Sequence, residues 1–207
     1  MNTSKQHWDQ VFTTKSPQEV SWTQEYPTPS MDLIQGFNLP KSTAIIDIGG
    51  GDSLLVDTLL IEGYTNITVL DISEKALLRA QERLGENSKI VSWIICDILD
   101  FKPTRNYSIW HDRAAFHFLT EASQIKNYTE KVNRYVSQGL VIGTFSENGP
   151  LKCSGLNITQ YNFDKLKANF KENFNSTEGK EEEHSTPFDT QQKFTFMCFK
   201  KKSNELF

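Results

Sequence analysis

Asp47-Ile48-Gly49-Gly50-Gly51-Asp52 is the stretch of this chain whose residue types and spacing point most directly to chemistry. Three glycines in succession let the backbone bend sharply and let a ligand come close without a Cβ in the way. Asp71 follows Gly51 by twenty positions (71 − 51 = 20). A carboxylate at that distance, ending the next strand, can accept hydrogen bonds from both hydroxyls of a ribose. Asp97 ends a third apolar run, where it can meet an adenine amino group or a neighbouring backbone amide. A tight turn that binds nothing is the bland alternative. It gives no reason for Asp47, Asp71 and Asp97 to close three successive apolar runs, whereas a nucleoside site does.

The same acids indicate which nucleoside. A dinucleotide turn asks for a third glycine, and Leu54 stands there in Gly49-x-Gly51-x-x-Leu54. A pyrophosphate prefers an uncluttered helix N-terminus, where Asp52 would repel it. A ligand with a sulfonium and an ammonium group and no phosphate suits these carboxylates better. S-adenosylmethionine is such a ligand.

A second group of candidates lies in Trp110-His111-Asp112-Arg113-Ala114-Ala115-Phe116-His117-Phe118-Leu119. His111 could take a proton from a nucleophile, since imidazole titrates near working pH. It could equally be a hydrogen-bonding strut, and the strut reading is favoured for His117. Asp112 and Arg113 could be a local ion pair. Arg113 could instead clamp a substrate carboxylate with its planar fork. Trp8, Phe12, Trp22 and Tyr26 form an N-terminal aromatic cluster that could cover a sulfonium, shape a substrate slot, or simply pin the segment over a sheet. Trp8 and Ile72 are counted with the donor-binding residues, and Trp22 with the catalytic ones. Cys153-Ser154-Gly155-Leu156 and His184-Ser185-Thr186-Pro187 are expected to close the pocket. Methyl transfer needs no covalent intermediate, so Cys153 is not read as a nucleophile. The run Glu181-Glu182-Glu183 is read as a solvated face that could also steer a basic protein.

These residues need elements to hold them. From Thr43 onward the pattern is strand, turn, helix, repeated. Strands are predicted over 44–48, 67–70, 90–96, 107–110 and 140–145, with helices over 53–62, 73–84, 121–136 and 164–170 between and after them. Residues 44–48 are apolar on both faces, as buried parallel strands are. Leu54, Leu55, Leu59 and Ile61 are the expected core residues of the first of these helices. Before this region, residues 7–29 read as a short helix and irregular chain, and Ser30 as the cap of a helix through Phe37. Residues 178–186 and 192–200 read as an antiparallel hairpin. The sum is an α/β protein, a doubly wound three-layer sandwich. Residues 1–40 would form a lid and helices packed on a domain of residues 41–202, a single domain overall.

Composition sets outer limits. The chain has 207 residues, 37% hydrophobic and 23% charged, enough for one sizeable core. A net charge of −4 argues against a protein that grips phosphate backbones. Cys96, Cys153 and Cys198 are odd in number and widely spaced, which points to a reducing compartment and away from a metal cluster. No apolar run approaches the roughly 20 residues of a membrane span. The expectation is a cytoplasmic enzyme, monomeric or homodimeric, without metal, nucleic acid or membrane partner.

The run IIDIGGGDSLLVDTLLIEGYTNITVLDISEKAL, followed by WIICDI, resembles motifs I to III of the class I S-adenosylmethionine-dependent methyltransferases. It is similar in particular to a branch with protein-lysine as well as small-molecule enzymes. The resemblance implies a Rossmann-like, seven-stranded, mostly parallel sheet with an antiparallel C-terminal hairpin. It implies that Asp47, Gly49 and Gly51 face the methionine part of the donor, Asp71 the ribose, and Asp97 with Ile98 the adenine. It sets the N-terminal segment as a lid and the loop at His111 beside donor and acceptor. Gly50 fills a slot often held by Cys or Ala in relatives, which should be harmless. A nitrogen, oxygen or sulfur nucleophile of a small molecule is the favoured acceptor, with a protein lysine as the alternative. The chain lacks the Asn/Asp-Pro-Pro-Tyr/Phe tetrapeptide of amino-group nucleic-acid methyltransferases. An NAD(P)-dependent oxidoreductase and a catalytically silent donor-binding module are the remoter readings.

Overall fold

A computed structural model of the chain describes residues 3–203. Two helices, α1 (Thr3–Thr14) and α2 (Thr28–Gln35), precede the alternating region. There follow β1 (Ile45–Ile48), α3 (Leu55–Ile61), β2 (Ile67–Asp71), α4 (Glu74–Leu84), β3 (Ser92–Ile95), β4 (Tyr107–Arg113), α5 (Ala122–Tyr135) and β5 (Val136–Phe145). The chain closes with β6 (Lys152–Cys153), β7 (Leu156–Asn157), α6 (Phe163–Phe170), β8 (Phe174–Ser185) and β9 (Gln191–Lys201).

Seven strands form one sheet in the order β3-β2-β1-β4-β5-β9-β8, while β6 and β7 pair separately. The first five are mutually parallel, and β9 runs antiparallel to both β5 and β8. The winding reverses between β1 and β4, so a crevice opens beyond their carboxyl ends. Alternation along the strands feeds two cores. Ile45, Val69, Ile109 and Val141 pack with α2 and α3 residues on one face. Ile46, Leu70, Trp110, Leu140 and Ile142 pack with α5 and α6 residues on the other. The three-layer sandwich expected from the pattern is the observed architecture.

Local differences have physical causes. β4 continues through His111, Asp112 and Arg113, so these residues belong to a strand, with His111 and Asp112 buried, instead of a loop after it. Asp112 tolerates this because it accepts hydrogen bonds from Tyr128 Oη at 2.7 Å and from the amides of Ala115 and Phe116. Trp110 Nε1 in turn donates to Tyr128 Oη at 2.9 Å, which closes the chain of bonds. Helix α2 starts two residues before Ser30, at the point where Pro27 and Pro29 preset the first turn, so Ser30 is an interior residue and not a cap. Ile61 is 83% exposed, and Val56 takes the core place expected for it. Ser73, by contrast, does cap α4, accepting from the Ala76 amide at 3.3 Å. The sheet edges are a four-residue strand, β3, and the long β8, whose outer residues are mostly exposed and charged. No described helix is long and apolar enough to cross a membrane.

Candidate active site

The glycine turn is pinned where β1 and β2 end. The Gly49 and Gly50 amides both donate to the Leu70 carbonyl, at 2.8 and 3.2 Å. Gly49 and Gly51 adopt φ of +64° and +51°, the left-handed region that glycine enters without strain. At Gly50 a Cβ would come within 2.5 Å of Asp47 Oδ2 and 2.7 Å of Val69 Cγ1. A Cβ there would have to displace the Asp47 carboxylate or Val69, so glycine fits the slot as it is packed. Ala114 also takes a left-handed φ of +68° as the chain leaves β4, and brings Ala115 against the turn. A Cβ on Gly49 would meet Ala115 Cβ at 2.7 Å.

Asp71 ends β2 beside this turn. Its Oδ1 accepts from the Ser73 amide at 2.7 Å. Burial, with Asp47 and Asp52 adding repulsion against the bonds from Ser73 and Gly51, pushes its carboxyl up to about 7. Asp97 accepts from the Leu99 amide at 2.9 Å, which fixes the turn after β3. Asp52 departs from the sequence argument. Its carboxylate meets Arg79 at 3.2 Å, so it does not present a bare negative charge to a ligand. Helix α1 is tied to the same side, since Ser73 Oγ donates to Asp9 Oδ1 at 2.7 Å.

On β4, His111 has both ring nitrogens engaged. Nδ1 lies 2.6 Å from Asp47 Oδ1 and Nε2 lies 2.8 Å from Ser30 Oγ, all within buried residues. Next but one, Arg113 donates from Nη1 to the Trp22 carbonyl at 2.9 Å and lies over the Phe194 ring, 4.9 Å from its centroid. Its Nε and Nη2 are shut off from solvent without a partner. Burial lowers its affinity for the proton to about 10. Trp22 packs edge-on against Trp8 and Phe12, and Trp8 against Phe118.

One cavity of about 390 Å³ joins these groups. Asp47, Gly49, Gly50, Gly51, Asp71, Ile72, Asp97, Ile98, His111, Arg113, Trp22 and Trp8, the residues singled out in the sequence, all line it. Ser30 and Asn157 line it too, with Ala115 and Phe118 of the candidate loop, although the sequence assigned none of the four an individual role at the site. Cys153 is at its wall as expected, with burial pushing the thiol up to about 11.

Other candidates fall elsewhere. His117 is fully buried, its Nδ1 accepting from the Phe145 amide at 3.3 Å. Burial and the nearby Arg113 charge bring it down to about 3, which makes it a neutral strut. His184 does not line the cavity; it binds the Ser21 carbonyl at 2.7 Å and so holds the segment carrying Trp22. Tyr26 is 50% exposed and stands apart from the aromatic cluster.

A family model described as a methyltransferase domain matches residues 45–140, from β1 into β5. No curated protein matches the sequence. Among solved structures, a protein studied for the conversion of a disulfide bond into a thioacetal group during echinomycin biosynthesis is 17% identical. It covers 97% of this chain and 94% of its own, with a TM-score of 0.76. The N-methyltransferase NodS from Bradyrhizobium japonicum WM9, solved with S-adenosyl-L-homocysteine, is 14% identical over 87% of this chain and 90% of its own, with a TM-score of 0.65. The 1,6-didemethyltoxoflavin-N1-methyltransferase of Burkholderia thailandensis is 15% identical over 97% and 85%, with a TM-score of 0.69. At these identities the likeness carries the fold.

Proposed function

We propose, from the premise that residues 45–140 are a domain of the class I S-adenosylmethionine-dependent methyltransferase family, that this enzyme methylates a nitrogen, oxygen or sulfur nucleophile of a small molecule. The donor fits the residues present. Asp71 offers an acceptor for ribose hydroxyls, and the turn at Gly49 to Gly51 leaves backbone space beside it. Ile72, Asp97 and Ile98 supply an apolar slot with one polar edge for the base. Asp47 adds negative charge where a cationic ligand would lie. When bound, S-adenosylmethionine supplies a methyl carbon already activated by its sulfonium.

What the chain adds is orientation and exclusion of water. Trp8, Phe12, Trp22 and Phe118 cover the space between the glycine turn and Arg113. His111 has no unoccupied nitrogen, so a proton reaches Nε2 through the Ser30 hydroxyl. Asp47 holds the opposite nitrogen and steadies the ring. This is a relay more than a free base.

The observation that carries the small-molecule reading is this roofed cavity, with its acceptor end bounded by an aromatic segment and a sequestered cation. The acidic run that favoured a protein lysine gives less support. Glu181, Glu182 and Glu183 lie on the edge strand β8, none of them lines the cavity, and Glu183 pairs with Lys193 at 3.1 Å. Incubating the enzyme with methyl-labelled donor and cell extract, then separating protein from small molecules, tests the choice. Label in the small-molecule fraction is expected. Label on protein alone would move the assignment to lysine methylation.

A further inference from the structure

We propose that the methyl acceptor carries a carboxylate and that Arg113 receives it. The inference rests on the methyl-transfer reading of the same cavity and names its substrate class. It begins from an imbalance. Arg113 is a cavity-lining guanidinium with one bond, from Nη1 to the Trp22 carbonyl, while Nε and Nη2 are sealed from water and unpartnered. Sequestering a cation in this way is costly unless something pairs with it. The described residues supply no such partner. Among them no carboxylate lies within ion-pair distance, and Asp47, the acid whose charge is felt there, is already bonded to His111. The Cys153 thiol beside it is neutral, and His117 and His184 are both held from protonation by burial and by the Arg113 charge itself.

The geometry of what is left over is specific. Nε and Nη2 form the side-on edge of the guanidinium, which presents two parallel N–H groups at the spacing of a carboxylate's two oxygens. The Phe194 ring, 4.9 Å beneath, and the Trp22 carbonyl hold the plane in place. Charge along the cavity is thus divided. Asp47, Asp71 and Asp97 line the donor end, which suits a cationic donor, and Arg113 stands at the acceptor end. A neutral acceptor would leave the guanidinium unmatched, and a lysine ammonium would be repelled by it.

Calorimetry with paired probes tests this on the full chain saturated with S-adenosylhomocysteine. Benzoate and phenylacetate are titrated against their neutral isosteres benzamide and phenylacetamide, the rings being chosen to match the cavity-lining Trp22 and Phe118. At least one carboxylate should bind ten-fold or more tightly than its amide. Arg113→Met should erase that preference and Arg113→Lys keep part of it, with S-adenosylhomocysteine affinity reporting that each variant is folded. No preference for either acid over its amide in the native chain, binding of none of the four included, overturns the proposal without recourse to a variant. So does a preference that survives Arg113→Met in folded protein. Loss of S-adenosylhomocysteine binding in the native chain would overturn the donor reading instead, and the carboxylate titrations repeated without it would still decide the role of Arg113.

Discussion

The half of the cavity proposed for the donor comes from three adjacent strand ends, Asp47 to Gly51, Asp71 with Ile72, and Asp97 with Ile98. The half proposed for the acceptor draws on the Trp22 segment, Ser30 of α2, Arg113 of β4 and Cys153 of β6, with Phe194 of β9 against Arg113 outside the cavity wall. In the first half Asp71 and Asp97 each accept from the backbone amide two residues on, and only Asp47 reaches a distant partner, His111. In the second, the partners lie far apart in the chain, as with Arg113 and the Trp22 carbonyl, and two guanidinium nitrogens are left over. A repeating strand-turn-helix unit can specify the first kind of site by spacing alone. The second kind exists only after the whole chain has packed.

Four measurements can break or sharpen that contrast. Asp71→Ala has the largest expected effect. Two lost hydrogen bonds to a charged acceptor, about 1.5 kcal/mol each, correspond to roughly a hundredfold weaker S-adenosylhomocysteine binding. Unchanged affinity by calorimetry would remove the donor half from its assigned place. Gly50→Ala comes next, since its Cβ would sit 2.5 Å from Asp47 Oδ2. Overpacking of this kind costs about 1–3 kcal/mol, visible as a lower urea midpoint with an unchanged slope. A midpoint equal to the native one would mean that the turn relaxes easily.

The third measurement uses pH. The Asp71 carboxyl sits at about 7, above its ordinary 3.8. Protonation removes an acceptor from the ribose hydroxyls, so donor affinity should fall below pH 7, by up to about tenfold per unit. Stability of the ligand-free protein has the opposite sign. Between its ordinary value and about 7 the folded state holds a proton that the unfolded chain has released, so this carboxyl contributes less stability as pH rises through that window. Asp71→Asn should flatten both curves, and a variant that retains the slopes would exclude Asp71 as their source. The smallest effect belongs to Trp22→Ala. Losing the roof should slow turnover roughly tenfold, about 1.4 kcal/mol of barrier, with little change in melting temperature because Trp22 is only part-buried. A large drop in melting temperature at normal turnover would make the aromatic segment structural.

The same contrast explains what could be read from the chain. The sheet and its closing hairpin follow from short continuous apolar runs bounded by turn residues and from two extended segments joined by a turn, so their positions were legible. The extension of β4 was not, because His-Asp-Arg breaks an apolar pattern. It is stabilised by Ser30, Tyr128 and the Trp22 carbonyl, none of which a local window contains. Ser30 looked like a cap because serine favours that position. The prolines beside it start the helix earlier and turn its hydroxyl toward His111. Asp52 looked like a repulsive charge because Arg79 lies on a different helix. The crowding of Gly50 by Asp47 and Val69 had no sequence signal, because it is a property of packing, not of spacing.

The place of β9 in the sheet has a consequence for how the molecule is made. It lies between β5 and β8, although it follows both in the chain. Synthesis therefore delivers every strand end of the nucleoside half while β5, whose last seven residues are all buried when complete, still has a bare edge. A nascent chain in that state exposes an apolar strand able to pair with another copy, and long-range pairing of this kind closes slowly. The same late strand brings Phe194 beneath Arg113. The step that ends the hazard of self-association is thus also the step that sets Phe194 against the Arg113 guanidinium.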